Sequence, residues 1–143
     1  VAVAKKVAAT FRNGMKPLLC VGENAKERTE GKTARKISMQ INNAFKGLQA
    51  EQAKEVVVAY EPLWAIGSGQ AATAKDAQEV CHLIREKLTT MFGEKISRQV
   101  RILYGGSVNE NNAVAFKISG IDGVLVGGAS LNAKAFSAIV RSF

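Results

Sequence analysis

Two neighbouring segments near the end of the chain share one pattern. An apolar stretch followed by two glycines and a serine occurs at residues 102–107 and again at 124–130, and each segment then reaches an asparagine, Asn109 or Asn132. Paired glycines let backbone N–H groups approach an anion, and the helix that follows adds its positive dipole. The repeated pattern predicts a phosphate site, although a strand, two glycines and a helix also make an ordinary tight turn. No lysine follows as in a nucleotide-binding P-loop, so that class of site is not predicted.

A single carboxylate, Glu61, stands where an apolar strand ends, between Tyr60 and Pro62. In parallel α/β folds this position projects toward the ligand-binding face. Taken alone, it is equally compatible with an ion-paired or helix-facing glutamate. The segment that follows, residues 62–69, is apolar, with a rigid proline at its start and glycines near its end. Because such a segment is costly to expose, it is expected to close over a ligand at times.

The sequence offers little for other catalytic or metal-binding chemistry. Cys20 and Cys81 lie far apart without zinc-site spacing, which argues against a disulfide framework or a structural zinc. We expect Cys20 in the core and His82 on the surface of a helix or in packing. No Ser-His-Asp set, carboxylate pair or metal cluster is recognisable. The prediction is therefore an active site without metal or cofactor.

The composition is that of one folded domain spanning residues 1–143. Hydrophobic residues make up 47% of the chain, charged residues 22%, and the net charge is +8. The densest basic stretch, residues 26–36, is interrupted by glutamates and contains no aromatic residue, so we predict attraction of small anions and no nucleic-acid partner. No apolar run is long enough to span a bilayer and no signal peptide is recognisable. We therefore predict no membrane partner and a cytoplasmic location.

Hydrophobic patterning predicts a helix followed by four strand-helix units. Four apolar segments without polar alternation read as buried parallel strands: residues 17–22, 56–60, 101–104 and 123–126. Apolar residues at helical spacing predict the helices, one of which starts at Thr73 with Asp76 in a capping box. Two α/β architectures fit this order. A doubly wound sheet could be complete at this length, whereas a (β/α)8 barrel needs about 250 residues. If the chain belongs to a barrel, it supplies about half of one.

Several segments resemble the signature motifs of the triosephosphate isomerase family. Residues 59–69 (AYEPLWAIGSG) resemble its catalytic strand and mobile lid, residues 104–109 and 127–131 resemble its two phosphate loops, and residues 20–23 match its fifth strand. The resemblance runs from the first helix to the end of the chain. It implies a TIM barrel of parallel strands, of which this chain supplies the C-terminal half, strands five to eight.

The resemblance also implies residue roles. Glu61 would be the base that moves a proton between adjacent carbons of dihydroxyacetone phosphate and glyceraldehyde 3-phosphate, in glycolysis and gluconeogenesis, through an enediolate. Four residues would bind the substrate phosphate: Gly67, Ser107, Gly127 and Gly128. The lid would span residues 62–72, and lid and latch residues would be Pro62, Trp64, Ser68, Gly69 and Tyr104.

In the family, an electrophilic histidine lies on the fourth strand and a lysine on the first, outside the strands that this chain matches. The chain alone is therefore expected to be inactive and to pair with an N-terminal half-barrel or with itself. Two rival interpretations stay open. One is another phosphate-binding barrel, such as a pentose-phosphate epimerase, which would not explain Glu61 joined to this lid. The other is a non-catalytic phosphate-binding half-barrel that pairs with another half-barrel.

Overall fold

A computed structural model describes residues 2–67 and 71–143 and contains a four-stranded parallel sheet flanked by helices. The strands are β1 (Leu18–Val21), β2 (Val57–Tyr60), β3 (Arg101–Gly106) and β4 (Gly123–Val126). The helices are α1 (Ala2–Arg12), α2 (Ala25–Thr29), α3 (Thr33–Phe45), α4 (Ala50–Ala53), α5 (Ala74–Phe92), α6 (Glu94–Ser97) and α7 (Ala133–Ser142). Within the described residues, no helix is long and apolar enough to cross a bilayer.

The strands lie side by side in the order in which they occur in the sequence. One row of partners crosses the sheet from Val21 through Tyr60 and Tyr104 to Val124. Parallel neighbours need crossover connections, which the intervening helices supply. The prediction of a parallel α/β sheet is confirmed, and all four strands fall within two residues of their predicted bounds.

The two faces of the sheet have different surroundings. On one face, side chains such as Val58, Tyr60 and Ile102 are fully buried and belong to one core with the apolar stripes of α3 and α5. The other face has no helix over it in the described chain, and there Leu18 is 46% exposed and Leu125 half-buried. The sheet therefore has one packed face and one open face.

Strand β1 corrects two expectations. It was predicted to be buried on both sides, but its residues alternate between exposed and buried. Successive side chains of a strand point to opposite faces, so Leu19 and Val21 enter the core while Cys20 lies exposed on the open face. The expectation of a core Cys20 is wrong for this reason.

Three helices, α2, α5 and α7, differ from the sequence-based expectation. Helix α2 has no buried residue and begins with a capping box formed by Asn24 and Glu27, so hydrophobic periodicity could not reveal it. Helix α5 runs for 19 residues rather than the four turns expected. In α7 the predicted stripe is mostly unburied, since Ile139 is buried while Phe136 and Val140 are exposed.

The start of α5 follows the predicted capping residues. The hydroxyl of Thr73 accepts a hydrogen bond from the backbone N–H of Asp76 at 3.1 Å and donates one to the Asp76 carboxylate at 2.6 Å. The bond from Thr73, assisted by the nearby Arg28, lowers the pKa of Asp76, while partial burial opposes this. The cap thereby fixes the residue from which the longest helix begins.

Replacing Thr73 with Ala is expected to lower the free energy of unfolding by about 1 kcal/mol, because an N-terminal N–H of α5 loses its acceptor. Urea unfolding followed by circular dichroism measures the change. Thr90→Ala is the matched control, since the Thr90 hydroxyl donates to the backbone carbonyl of Glu86 inside the same helix and does not cap a helix end. The pKa of Asp76 is lowered in the folded protein, so its ionised carboxylate adds to the free energy of unfolding at neutral pH. This contribution is lost as the pH falls below about 4. Equal losses in both variants would contradict the assignment.

Candidate active site

A cavity of about 460 Å³ lies beyond the carboxyl ends of β2, β3 and β4. Ligands bind at this end of parallel strands in α/β folds. The cavity is lined by the predicted base and the four predicted phosphate-binding residues: Glu61, Gly67, Ser107, Gly127 and Gly128. It is completed by Ile66, Gly106, Val108, Asn109, Leu125 and Ala129. The structure thus brings together all five residues, which are spread over 68 positions of sequence.

Glu61 occupies a space that exists because two neighbouring residues have no side chain. A Cβ atom on Gly22 would lie 1.9 Å from the carbonyl oxygen of Glu61, which is impossible without movement of the backbone. A Cβ on Gly105 would lie 2.7 Å from Cγ and 2.9 Å from Oε1 of the same residue. The backbone N–H of Glu61 also donates to the carbonyl of Val21 at 2.7 Å. Both the peptide and the carboxylate of Glu61 are therefore closely confined.

The first Gly-Gly segment serves a different purpose from the one predicted. Gly105 makes room for Glu61, and a Cβ on Gly106 would lie 2.4 Å from the Tyr104 hydroxyl. Of the two glycines, Gly106 lines the cavity and Gly105 does not. Within this segment, the absence of a side chain on Gly105 leaves room for the carboxylate of Glu61.

The two repeated segments also end differently. Asn132 caps α7 as predicted, since its side chain accepts from the N–H of Ala135 at 3.0 Å. Asn109 instead accepts from the N–H groups of Asn111 and Asn112, and a 3-10 helix follows at Ala113–Phe116. Only the segment after β4 leads into an α-helix, so the predicted dipole contribution is limited to that loop.

Gly127 and Gly128 follow β4 directly at the rim of the cavity. Gly128 begins a 3-10 helix (Gly128–Leu131), and the N–H groups at the start of a helix have no acceptor within it. Neither glycine has a positive φ, and a Cβ on either would meet open space. Both glycines therefore line the cavity with no side chain between their backbone and the open space.

The predicted lid is held near both of its ends by the predicted latch. The Ser107 hydroxyl donates to the carbonyl of Ala65 at 2.8 Å, and the N–H of Ala72 donates to the Tyr104 hydroxyl at 2.9 Å. Tyr104 is itself fixed by stacking on Phe116, with ring centroids 4.1 Å apart. Tyr104 within β3 and Ser107 directly after it thus contact the segment after β2 at two points.

Inside this segment, Pro62 is buried, while the apolar side chains of Leu63 and Ile66 are exposed. Gly67 has a φ of 64°, which favours glycine. Ser68 and Gly69, also predicted to belong to the lid, lie outside the described residues.

A buried carboxylate that the sequence reasoning did not assign lies beneath the start of the lid. Glu23 is fully buried, and its Oε1 accepts from the Tyr60 hydroxyl and from Trp64 Nε1, both at 3.1 Å. Arg28 pairs with the same oxygen at 3.3 Å and places its guanidinium 4.8 Å from the centre of the Trp64 ring. Arg28 also pairs with Asp76 at 2.7 Å. This cluster joins β1, the lid and α5.

The signal for Glu23 is a carboxylate close behind an apolar strand. It follows Val21 and Gly22, whereas Glu61 follows Tyr60 directly, so the two carboxylates lie one row apart and face opposite sides of the sheet. Glu61 faces the cavity, whereas Glu23 faces the aromatic and guanidinium groups under the lid. Tyr60 stays protonated there, because burial and the nearby Glu23 carboxylate raise its pKa.

Cys20 is a second unassigned neighbour of the site. Although Cys20 is exposed as a residue, its thiol is partly desolvated beside Glu61. This desolvation, a hydrogen bond with Glu61 and the charge of that carboxylate together raise the pKa of the thiol to about 12. The thiol is therefore neutral at physiological pH and presents a proton, not a charge, to Glu61. By contrast, His82 is exposed on α5 beside Gly120 and does not line the cavity.

The arrangement suits proton transfer on an anionic ligand. One carboxylate, several backbone amides and a serine hydroxyl surround a space large enough for a small molecule. An anionic end can be held by the amides while the carboxylate reaches a C–H bond. Across residues 2–67 and 71–143, no group of histidine, cysteine or acidic side chains is arranged to hold a metal ion.

Replacing Glu23 with Ala is expected to lower the free energy of unfolding by roughly 3 kcal/mol, because Tyr60, Trp64 and Arg28 lose a buried acceptor together. Urea unfolding measures the loss, and the fluorescence of Trp64, the single tryptophan, reports the local change. The control is Glu30→Ala, which removes exposed ion pairs with Lys26 and Lys32 and should change stability by less than about 0.5 kcal/mol. Similar losses for both variants would show that the Glu23 cluster contributes little.

Comparison with known proteins points to one family. The family model described as triosephosphate isomerase matches residues 1–143. The triosephosphate isomerase of Acetivibrio thermocellus is 49% identical over 140 residues, covering 97% of this chain and 56% of the relative. That of Moorella thermoacetica is 51% identical with the same coverage, and that of Saccharopolyspora erythraea is 49% identical over 94% of this chain and 52% of its own length. The chain spans about half the length of the relatives that it matches. It belongs to the triosephosphate isomerase family.

Proposed function

We propose that this chain provides the base and the phosphate-binding loops of a triosephosphate isomerase, which interconverts dihydroxyacetone phosphate and glyceraldehyde 3-phosphate. The observation that supports the proposal most is the single cavity shared by Glu61, Gly67, Ser107, Gly127 and Gly128. Each of these residues lies in a segment that resembles a family motif. The free thiols of Cys20 and Cys81 favour a reducing, cytoplasmic setting for this activity.

In the proposed reaction, the Glu61 carboxylate removes a proton from the carbon that bears the hydroxyl group of the ketose. The electrons of that C–H bond form the carbon–carbon double bond of an enediolate, and the carbonyl oxygen takes the negative charge. A proton then passes from the hydroxyl oxygen of the first carbon to the charged oxygen of the second carbon, and Glu61 returns its own proton to the second carbon, which yields the aldose. The confinement of Glu61 between Gly22 and Gly105 supports this role, because proton transfer needs a base held within hydrogen-bond reach.

The phosphate of the substrate would lie at the other side of the cavity. Backbone N–H groups of Gly67, Gly127 and Gly128 and the turn at Ser107 are the candidates to bind it. The contacts of Ser107 and Tyr104 with the segment of residues 62–72 support a role of that segment as a lid. A lid anchored to the phosphate loops would exclude water from the enediolate.

We further propose that residues 1–143 form a single domain that completes an eight-stranded barrel with a second unit. The support lies in the open face of the sheet, where Leu18 and Cys20 are exposed, and in the outer edges of β1 and β4, which pair with no other strand among residues 2–67 and 71–143. The resemblance assigns the histidine and lysine of the reaction to strands that this chain does not match. An N-terminal half-barrel would supply both, whereas a second copy of this chain would supply neither.

The chain alone is therefore expected to isomerise triose phosphate at background level. Loss of one donor to a developing oxyanion typically costs about 10²- to 10³-fold in rate, and two groups would be absent. A coupled assay on purified chain, with and without an added N-terminal half-barrel of the family, measures this. Activity that appears only in the mixture supports the proposal. Near-native turnover by the chain alone would refute the need for a second unit.

Replacing Glu61 with Asp in the active assembly is expected to lower kcat by on the order of 10²-fold, because the shorter side chain withdraws the carboxylate by about 1 Å. Binding of a phosphate-bearing substrate analogue should change much less, since the phosphate loops are untouched. Glu110→Asp provides the control on an exposed glutamate outside the cavity lining. If Glu61→Asp kept kcat and abolished analogue binding, Glu61 would be a binding residue instead.

Replacing Gly128 with Val is expected to weaken binding of a phosphate analogue at least tenfold, because the added side chain enters open space at the cavity rim without backbone strain. Calorimetry on the assembled protein measures the dissociation constant. Ala133→Val, at the start of α7 and outside the cavity lining, is the control for a new β-branched side chain nearby. An unchanged constant in Gly128→Val would remove this loop from the phosphate site.

The open face also predicts that the chain does not persist as a stable monomer. Unpaired strand edges and an uncovered apolar face favour association. Sedimentation equilibrium is expected to show self-association at micromolar concentration that an N-terminal half-barrel suppresses by forming a one-to-one complex. A compact monomer that ignores the added half would contradict the proposed barrel.

A further inference from the structure

Gln40 makes a paired contact with the backbone of Gly22. Its Oε1 accepts a hydrogen bond from the Gly22 N–H at 3.0 Å, and its Nε2 donates one to the Gly22 carbonyl at 3.0 Å. Gln40 is half-buried on α3, between Ile37 and Ile41, which are fully buried and anchor this turn of the helix in the core. A side-chain amide from a fixed helix thus holds both backbone polar groups of one residue.

The residue held in this way is the one that confines the peptide of Glu61. A Cβ on Gly22 would lie only 1.9 Å from the carbonyl oxygen of Glu61, so the backbone of Gly22 packs closely against that carbonyl. Two backbone hydrogen bonds flank this contact. The carbonyl of Val21 accepts from the Glu61 N–H at 2.7 Å, and the backbone carbonyl of Glu23 accepts from the Leu63 N–H at 3.0 Å. Displacement of Gly22 would therefore be transmitted to the backbone that carries the Glu61 carboxylate.

We propose that Gln40 is a positioning residue for Glu61, which it places by fixing the Gly22 peptide. Gln40 does not line the cavity, so it acts without touching a ligand. Its effect on turnover rests on the proposed isomerase function, whereas its effect on the position of Glu61 does not.

The chemistry of the contact is specific to glutamine. An ionised glutamate has the same length but no donor for the Gly22 carbonyl, methionine has neither a strong donor nor a strong acceptor, and asparagine is shorter by one methylene. Gln40→Glu and Gln40→Met therefore remove one and both bonds at nearly constant volume. Gln78→Met is the matched control, because Gln78 lies on helix α5 and its side-chain amide also donates to a backbone carbonyl, that of Ser119.

The first measurement is steady-state kinetics of the active assembly. Gln40→Met is expected to lower kcat by roughly 10- to 100-fold with KM within about twofold, because the base moves while the phosphate loops stay in place. Gln40→Glu should lie between Gln40→Met and the unaltered protein. Gln78→Met should keep both constants near those of the unaltered protein. A raised KM with unchanged kcat in Gln40→Met would overturn the proposal.

The second measurement does not depend on isomerase activity. Burial and the adjacent Glu61 carboxylate raise the pKa of the Cys20 thiol, so a carboxylate that moves away leaves more thiolate and faster alkylation. Iodoacetamide at pH 8, with the Cys20 and Cys81 peptides quantified by mass spectrometry, should show Cys20 alkylated several-fold faster in Gln40→Met. Cys81 is buried and monitors general loosening.

A Glu61→Gln background completes the test. That substitution alone should speed alkylation of Cys20, and adding Gln40→Met should then have little further effect, because the carboxylate is already gone. Unchanged Cys20 alkylation in Gln40→Met, or parallel acceleration of Cys20 and Cys81, would overturn the positioning role. If the assembly lacked isomerase activity, the proposed function would fail, and the alkylation rates would still decide the role of Gln40.

Discussion

The site depends on the absence of side chains on both sides of Glu61. The register that pairs Val21, Tyr60 and Tyr104 places Gly22, Glu61 and Gly105 in the next row along the three strands. A side chain on Gly22 would collide with the Glu61 backbone, and one on Gly105 would collide with its carboxylate. Parallel pairing alone therefore does not create the site. The neighbouring strands must each supply a glycine in the one row where the acidic side chain needs room.

The alternation of side chains along each strand then assigns adjacent residues to different tasks. Glu61 faces the cavity, whereas Tyr60, one residue earlier, points to the helix-covered side and donates to buried Glu23. On β3, Gly105 leaves space for the carboxylate, while Tyr104 reaches the N–H of Ala72. The two tyrosines lie in one row with ring centroids 6.3 Å apart. The contacts that Tyr60 and Tyr104 make around the segment of residues 62–72 are thus built on the face opposite to the cavity, whereas Ser107 both lines the cavity and donates to Ala65 of that segment.

This division explains which parts could be inferred from sequence. Apolar strands and the Glu61, Ser107 and Gly127 positions were predictable, because the carboxyl ends of neighbouring parallel strands meet at one edge of a sheet. The roles of Gly105 and Gln40 were not, because each depends on the distance to a residue 44 or 18 positions away. Cys20 was misplaced for a related reason. An apolar run shows that a strand is present, but the covering of each face by helices decides which of its residues are buried.

Among the described residues that line the cavity, Glu61 is the single charged one, and this suits its proposed role as a base. The Cys20 thiol remains neutral because its pKa is raised to about 12, and burial also raises the pKa of Tyr104 behind the sheet. Among residues 2–67 and 71–143, Glu61 forms no ion pair, whereas Glu23 is paired with Arg28. A carboxylate in a salt bridge must break that pair to take a proton, while one beside neutral donors need not. Two glutamates that end adjacent strands are therefore suited to different roles, one to hold the lid segment and the other to exchange a proton with a ligand.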